Sequence, residues 1–407
     1  MNNVTGSRDH RLVVTSRDQY GGEYSREAAQ SLSPEQAAAA YDMIRTWPGY
    51  AATPEVEFPA LANRFGLRSL RVKNEGRRFE IGSFKALGPP YALANILIAE
   101  IQRRTATSEV SSADLFTGSF RDITSSIVVT APTSGNHGRA LAWAARQFGC
   151  RAVIYMPEAT SPGREAAIAA YGAETIRVPA DFDGTAEHTE HEAVRHGYLM
   201  IGDTSPAEHP DSTRQIIHGY SVLAQEIIDK MATDGKPTHV FVSAGIGNMA
   251  AALTGRLWME CGDERPRMVV VEPHSADAFY QSALRNSRTA ASGDLVTVMD
   301  GLSVGVVSPL AWNILRAGAF AGLTIDDSAA LEALRLLARP PAPDVPLGVG
   351  ETGIAAFAGL LEAARDPQIR DQLGLTESSC VLAIGCEGVT DPEVYARLLD
   401  DHPRMNL

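Results

Sequence analysis

Residues 127–172 read IVVTAPTSGNHGRALAWAARQFGCRAVIYMPEATSPGREAAIAAYG, and this stretch decides the fold. A β-branched run over 127–131 leads through a turn of small residues into an Ala-rich amphipathic segment. The pattern predicts a strand over 127–131, a helix over 138–148 stopped by Gly149, a strand over 152–156 stopped by Pro157, and a helix over 163–171 stopped by Gly172. A third strand, 175–178, follows at once. Short apolar strands alternating with helices are the mark of a parallel sheet, so the chain reads as an α/β protein. Outward from this core the same alternation gives a helix over 185–196, strands over 198–201 and 239–243, a helix over 248–259, and strands over 268–272 and 380–384. Their continuous apolar character predicts burial on both faces. The run RPPAPDVP at 339–346 reads as an exposed loop, and no repeat of fixed period is visible.

The chain has 407 residues, more than one hydrophobic core usually organises, which predicts two domains. With 36 Lys+Arg against 49 Asp+Glu, the formal charge of −13 opposes a nucleic-acid footprint and favours a small-molecule ligand. Cys150, Cys261, Cys380 and Cys386 form no C-x-x-C pair and no His-spaced metal cluster. Such sparse usage predicts free thiols in a reducing compartment, hence the cytoplasm, with no metal. Residues 1–26 lack the apolar core of a secretory signal, and no stretch approaches ~18 uninterrupted apolar residues, so neither secretion nor a membrane span is expected.

Three motifs carry chemistry. In Gly82-Ser83-Phe84-Lys85-Ala86-Leu87-Gly88 a lysine is flanked by small and apolar residues, just after the polar, basic stretch 73–80. Desolvation disfavours its ammonium form and supplies the free amine that attack on an aldehyde requires. The plainer alternative is a lysine snorkelling from a helix start. Thr133-Ser134-Gly135-Asn136-His137-Gly138 follows a strand and opens a helix, where exposed N–H groups and the helix dipole can clamp a carboxylate. It reads equally as an ordinary turn with Ser134 as N-cap, and His137 as a packing residue. Ser243-Ala244-Gly245-Ile246-Gly247-Asn248-Met249-Ala250 lets successive backbone N–H groups approach a phosphate without Cβ obstruction. It also fits G-x-G-x-x-A with Glu272 closing the next strand, so an NAD(P)-dependent oxidoreductase remains a rival.

Together with GETG at 350–353 and GCEG at 385–388, these motifs resemble, in order, the fold-type II pyridoxal-phosphate enzymes, the tryptophan synthase β and threonine dehydratase superfamily. Within it the chain is most similar to the diaminopropionate ammonia-lyases, through SFKALG, NHGRALAWAA, VIYMP, GDTS, GYSVLAQE and VSPLAWNILRAGA. The likeness covers roughly residues 40–400.

The resemblance implies two parallel-type sheet domains with flanking helices and the cofactor in the cleft between them. A polar extension (1–30) would precede a large domain (31–90 and 203–407) and a small one (91–202). It implies that Lys85 carries the cofactor, that Phe84 and Glu351 border it, and that Asn136 bonds its phenolic oxygen. The phosphate would lie in Gly245, Ile246, Gly247, Asn248 and Met249. Cys386 would face the pyridine nitrogen, where a thiol cannot hold that nitrogen fully protonated and early expulsion of a β-substituent is favoured. Thr133, Ser134, Gly135 and His137 would receive the substrate, and Asp203, in Ile201-Gly202-Asp203-Thr204, would be the general base. The family commonly has aspartate where this chain has Ser134. A serine cannot take a proton near neutral pH, which implies a preference for the L-substrate. The implied enzyme is a homodimer that eliminates a β-group from a small amino acid, with hydroxy-amino-acid dehydration, β-replacement and a non-catalytic pyridoxal-binding role as alternatives.

Overall fold

The computed structural model describes residues 4–5 (backbone only), 11–16, 20–133, 135–203 and 211–400. Its strands are β1 (Val4–Thr5), β2 (Leu12–Val14), β3 (Glu55–Glu57), β4 (Ser69–Asn74), β5 (Val128–Pro132), β6 (Arg151–Pro157), β7 (Glu174–Val178), β8 (Leu199–Met200), β9 (His239–Ser243), β10 (Arg267–Pro273), β11 (Ala321–Ile325) and β12 (Cys380–Gly385). They belong to two compact units. The larger comprises 1–34, 52–78 and 223–407, and the smaller 35–51 and 79–222.

The larger unit carries one sheet in the order β1-β2-β11-β10-β9-β12-β4-β3. The five strands from β11 to β4 are parallel, and β2 and β3 flank them antiparallel. Every residue of β9 and β11 is buried. The helix Ala355–Arg365 lies against β9, β10, β11 and β12 with Phe357, Leu360 and Leu361 in the core. Such strands must be apolar throughout because both faces are covered. The N-terminal segment, read from sequence as a polar extension, contributes β2, whose Val13 and Leu12 face Gly322 and Leu323 of β11.

The smaller unit carries a four-stranded parallel sheet in the order β7-β6-β5-β8. The helix Asn136–Phe148 ends at Gly149 in the left-handed conformation, as its glycine stop predicts. Trp143 of that helix packs tilted against Phe79 at 5.4 Å, and Phe148 meets Phe116 edge-on at 5.1 Å. The expectation that all the strands are buried on both faces fails at β7. It lies at the sheet edge, and of its five residues only Val178 is buried.

Two local features lie beyond the sequence pattern, although the proline-rich loop 339–346 is largely exposed as expected. In the polar stretch 73–80, Lys73, Glu75 and Arg78 are each 0 % exposed. In the proline-rich loop, Asp344 turns inward and accepts hydrogen bonds from the N–H groups of Ala60 and Leu61 at 2.8 and 2.9 Å. It thereby caps the helix Pro59–Arg64, whose own cap position, Phe58, has no side-chain oxygen to offer.

β9 delivers the glycine loop and begins at His239, which is buried as a neutral ring. Nε2–H donates to the Leu373 carbonyl at 2.9 Å, and Nδ1 lies 2.8 Å from the Thr238 hydroxyl. Burial pushes its pKa down to about 4. The folded value lies below the unfolded one, so the unfolded chain binds the extra proton between pH ~6.5 and ~4, and stability is lost as pH falls through that window. The loss attributable to this ring is about 3 kcal/mol. Urea unfolding at pH 7, 5.5 and 4 should show that share missing from His239→Gln. An unchanged pH slope in the variant would rule the assignment out.

Candidate active site

Lys85 is the middle residue of the short 3₁₀ turn Phe84–Ala86, whose N-cap Ser83 accepts from the Lys85 N–H at 3.3 Å. Its ammonium donates to Asp203 Oδ2 and lies 5.2 Å from the centre of the Phe84 ring and 5.9 Å from that of Tyr220. The two rings are 4.8 Å apart. They supply the apolar flank that the sequence predicts for this lysine.

Asp203 follows β8 and takes a second partner on its other oxygen, with His137 Nδ1 3.0 Å from Oδ1. His137 Nε2 lies 2.7 Å from the Ile201 carbonyl, so the imidazole faces an acceptor at each nitrogen. Burial alone would raise the Asp203 carboxyl, but the charges of His137 and Lys85 and their hydrogen bonds outweigh it and hold the group well below the usual carboxylate range. A carboxylate so held is a weak base while these contacts remain. Once Lys85 Nζ no longer carries an ammonium charge, part of that depression is lifted.

His137 is therefore more than the packing residue its sequence context allows, although it is 4 % exposed. Thr133 Oγ1 accepts from the N–H groups of Gly135 and Gly138 at 3.1 and 3.4 Å, which makes it the residue that shapes the turn into the helix. Asn136 is the first residue of that helix. Ser134 lies outside the described residues.

The larger unit holds the other positions. Gly245, Ile246 and Gly247 lead from β9 into the helix Asn248–Cys261. Gly247, at φ +92°, occupies the cap position, and an added Cβ there would lie 3.3 Å from Ala311 Cβ and Leu315 Cδ1. Asn248 and Met249 are buried, and Gly247 has no side chain to satisfy the N–H groups of their turn. Buried amide donors at a helix N-terminus, with no Cβ in the way, fit a phosphate group. Cys386, 1 % exposed, follows β12, and the Ser243 hydroxyl at the end of β9 lies 3.8 Å from its sulfur. Glu351 is buried in a turn docked on the GCEG segment, where Gly350 N–H donates to the Glu387 carbonyl at 3.2 Å and Thr352 N–H to Glu387 Oε1 at 3.0 Å.

Glu272 speaks against the dinucleotide rival. Its two oxygens accept from the N–H groups of Phe279 and Tyr280, each at 2.8 Å, so it caps a helix and has no oxygen directed at a ribose diol. Burial pushes its carboxyl up to about 8.

Sequence reasoning singled out neither Tyr220 nor Ser243. Tyr220 is part of the GYSVLAQE run, but nothing local to that run indicates that its ring lies beside Phe84. Ser243 was legible only as the last residue before the glycine loop.

The family model described as "Pyridoxal-phosphate dependent enzyme" matches residues 46–383. The chain belongs to this pyridoxal-phosphate-dependent family. Diaminopropionate ammonia-lyase of Escherichia coli K12 is 34% identical over 384 residues, which is 92% of this chain and 94% of that protein. The crystal structure of the holo form of diaminopropionate ammonia-lyase from Escherichia coli superposes with a TM-score of 0.87 at 31% identity, covering 98% of each chain. A second structure of that enzyme, in complex with an aminoacrylate–PLP azomethine reaction intermediate, gives 0.85 at 31% identity and 98% coverage of each chain. The fold is thus that of the fold-type II pyridoxal-phosphate enzymes, and the chain is a lyase of that family using pyridoxal 5′-phosphate. Among the described residues no helix is long and apolar enough to cross a membrane.

Proposed function

We propose that this enzyme converts 2,3-diaminopropionate and water to pyruvate and two molecules of ammonia. The observation that carries the proposal is the chain Lys85–Asp203–His137–Ile201, which puts an amine and a carboxylate in hydrogen-bond contact in a lyase whose similar proteins are diaminopropionate ammonia-lyases. When bound, the cofactor supplies an electron sink for the charge left on the substrate when its Cα proton is removed. Lys85 would hold the cofactor, with Phe84, Glu351 and Asn136 around it, Gly245, Ile246, Gly247, Asn248 and Met249 receiving its phosphate, and Cys386 at its ring nitrogen. Thr133, Ser134, Gly135 and the backbone N–H of His137 would hold the substrate carboxylate. Asp203 Oδ2 would take the Cα proton, and His137, fixed on the Ile201 carbonyl, would hold the carboxylate in orientation. Cytoplasmic residence, supported by four cysteines that form no disulfide, and a homodimer, supported by the resemblance, complete the proposal.

The test is pyruvate release from L- and D-2,3-diaminopropionate, L-serine and L-threonine. The L-diamino acid should be turned over fastest, at least ~10-fold ahead of the hydroxy amino acids. Replacing Ser134 by Asp should raise turnover of the D-isomer by up to ~10²-fold, the lower range for a positioned proton acceptor. Faster release from serine or threonine would make the enzyme a dehydratase, and equal wild-type rates on both enantiomers would refute the role given to Ser134.

A further inference from the structure

The chain crosses between its two units four times, after Pro34, Ala51, Arg78 and Val222. Three of these crossings are rooted in one buried polar knot that lies wholly within the larger unit. Thr53 follows the second crossing by two residues, Arg78 is the last residue before the third, and Glu226 follows the fourth by four. None of Thr53, Lys73, Glu75, Arg78 and Glu226 is more than 2 % exposed.

Lys73 uses all three of its donors, and Arg78 binds both carboxylates. Lys73 Nζ donates to the Thr53 carbonyl at 3.0 Å, Thr53 Oγ1 at 2.7 Å and Glu226 Oε2 at 2.7 Å. Arg78 makes two forks, one through Nε and Nη2 to Glu75 at 2.9 and 3.0 Å and one through Nη1 and Nη2 to Glu226 at 2.6 and 2.7 Å. Thr53 Oγ1 in turn donates to Glu75. Two cations meet two anions, so the set is neutral.

Stability does not account for such an arrangement, because well-packed apolar side chains of similar volume often serve as well or better than a buried ion set. What paired forks do provide is fixed distance and direction. The backbone next to the knot is held in a conformation that needs both. Phe79, immediately after Arg78, has φ +47°, a left-handed conformation that a bulky side chain keeps only where its surroundings over-determine it. Its ring is gripped by Trp143 at 5.4 Å and by Trp47 and Tyr50 at 6.3 Å each, while the Arg78 forks hold the other side. Gly76, in the same turn, lies against the GCEG segment so closely that an added Cβ would stand 2.7 Å from Gly388 Cα.

We propose that Arg78 and Glu226, with Thr53, Lys73 and Glu75, are positioning residues whose knot fixes where the chain leaves the larger unit. The segment 79–83 and the helix Asp211–Asp234 extend from the knot, and through them it sets how Lys85 and Tyr220 are presented. This rests on the role given above to Lys85.

The test compares wild type with Arg78→Lys, which keeps the charge and loses both forks. Amide hydrogen exchange within 79–83 and 219–223 should quicken by at least ~10-fold, with and without added pyridoxal 5′-phosphate, while amides of β5 and β9 stay unchanged. In steady state kcat should fall at least ~10-fold with KM within about twofold, a split that marks loss of positioning rather than of binding. Exchange that quickens uniformly with a general loss of stability, or that stays unchanged in the two segments, overturns the proposal. Should Arg78→Lys fail to fold, Glu75→Gln, which breaks one fork, is measured by the same criteria. Exchange needs no substrate, so the two ideas fail separately. Local quickening in a protein without lyase turnover would unseat the assigned reaction alone, and normal turnover with unchanged exchange would unseat the knot alone.

Discussion

Lys85→Ala should lose turnover by at least ~10⁴-fold, the upper end of what one positioned proton-transfer group contributes, and should yield no pyridoxyl peptide after borohydride reduction. The chain has only four lysines, at 73, 85, 230 and 236. Lys73 is fully buried with every donor committed, and Lys236 is bound to the carbonyl and carboxylate of Glu264. Lys85, in contrast, is partly exposed, lies against two aromatic rings and has a carboxylate at its tip. Peptide mapping of the reduced wild-type holoenzyme should place the adduct on the peptide containing Phe84 and Ala86. An adduct at Lys230, or covalent trapping that survives in Lys85→Ala, would overturn the assignment and the site built around it.

Asp203→Asn should cost ~10²-fold or more in kcat on L-2,3-diaminopropionate with little change in KM. The amide keeps the shape of the carboxylate but can neither take a proton nor balance the charge of Lys85, and it replaces one of the two oxygens that meet Lys85 and His137 with a nitrogen. The loss should fall on the chemical step, because the contacts that hold the turn at Thr133 do not involve this residue. Pyruvate release under saturating substrate measures it. Undiminished kcat in Asp203→Asn would pass the role of base to Lys85 alone.

What was legible in the sequence follows from where each residue finds its partners. β9, β10 and β12 are apolar runs because both faces of each are covered, and the sequence locates each to within one residue at either end. β4 escaped because Arg71 and Lys73 interrupt its apolar run. Lys73 is buried against a carboxylate 153 residues further on, and no local pattern announces that. β7 was found as an element, but its exposure depends on its place at the sheet edge, which only the tertiary pairing decides. In the site, Lys85 could be picked out from its dry neighbours, and the glycine loop from the spacing of Gly245 and Gly247. The contact of Asp203 with Lys85 spans 118 positions and became visible only with the fold. Asp344 shows the same limit in a loop, since its acceptor role depends on a helix 283 residues earlier.

The strand order of the larger sheet also dictates the order in which a growing chain could assemble it. β12 lies between β9 and β4, so β3 and β4, made within the first 74 residues, have no place in that sheet until residues 380–385 have left the ribosome. At the other edge β2 waits for β11, made some three hundred residues later. The smaller sheet has no such delay, because β5, β6, β7 and β8 all lie between residues 128 and 200. Pairings this distant in sequence close slowly and leave strand edges open meanwhile. During synthesis the unit that carries Lys85 can therefore have its sheet complete while the strands bearing the glycine loop and Cys386 are still being made.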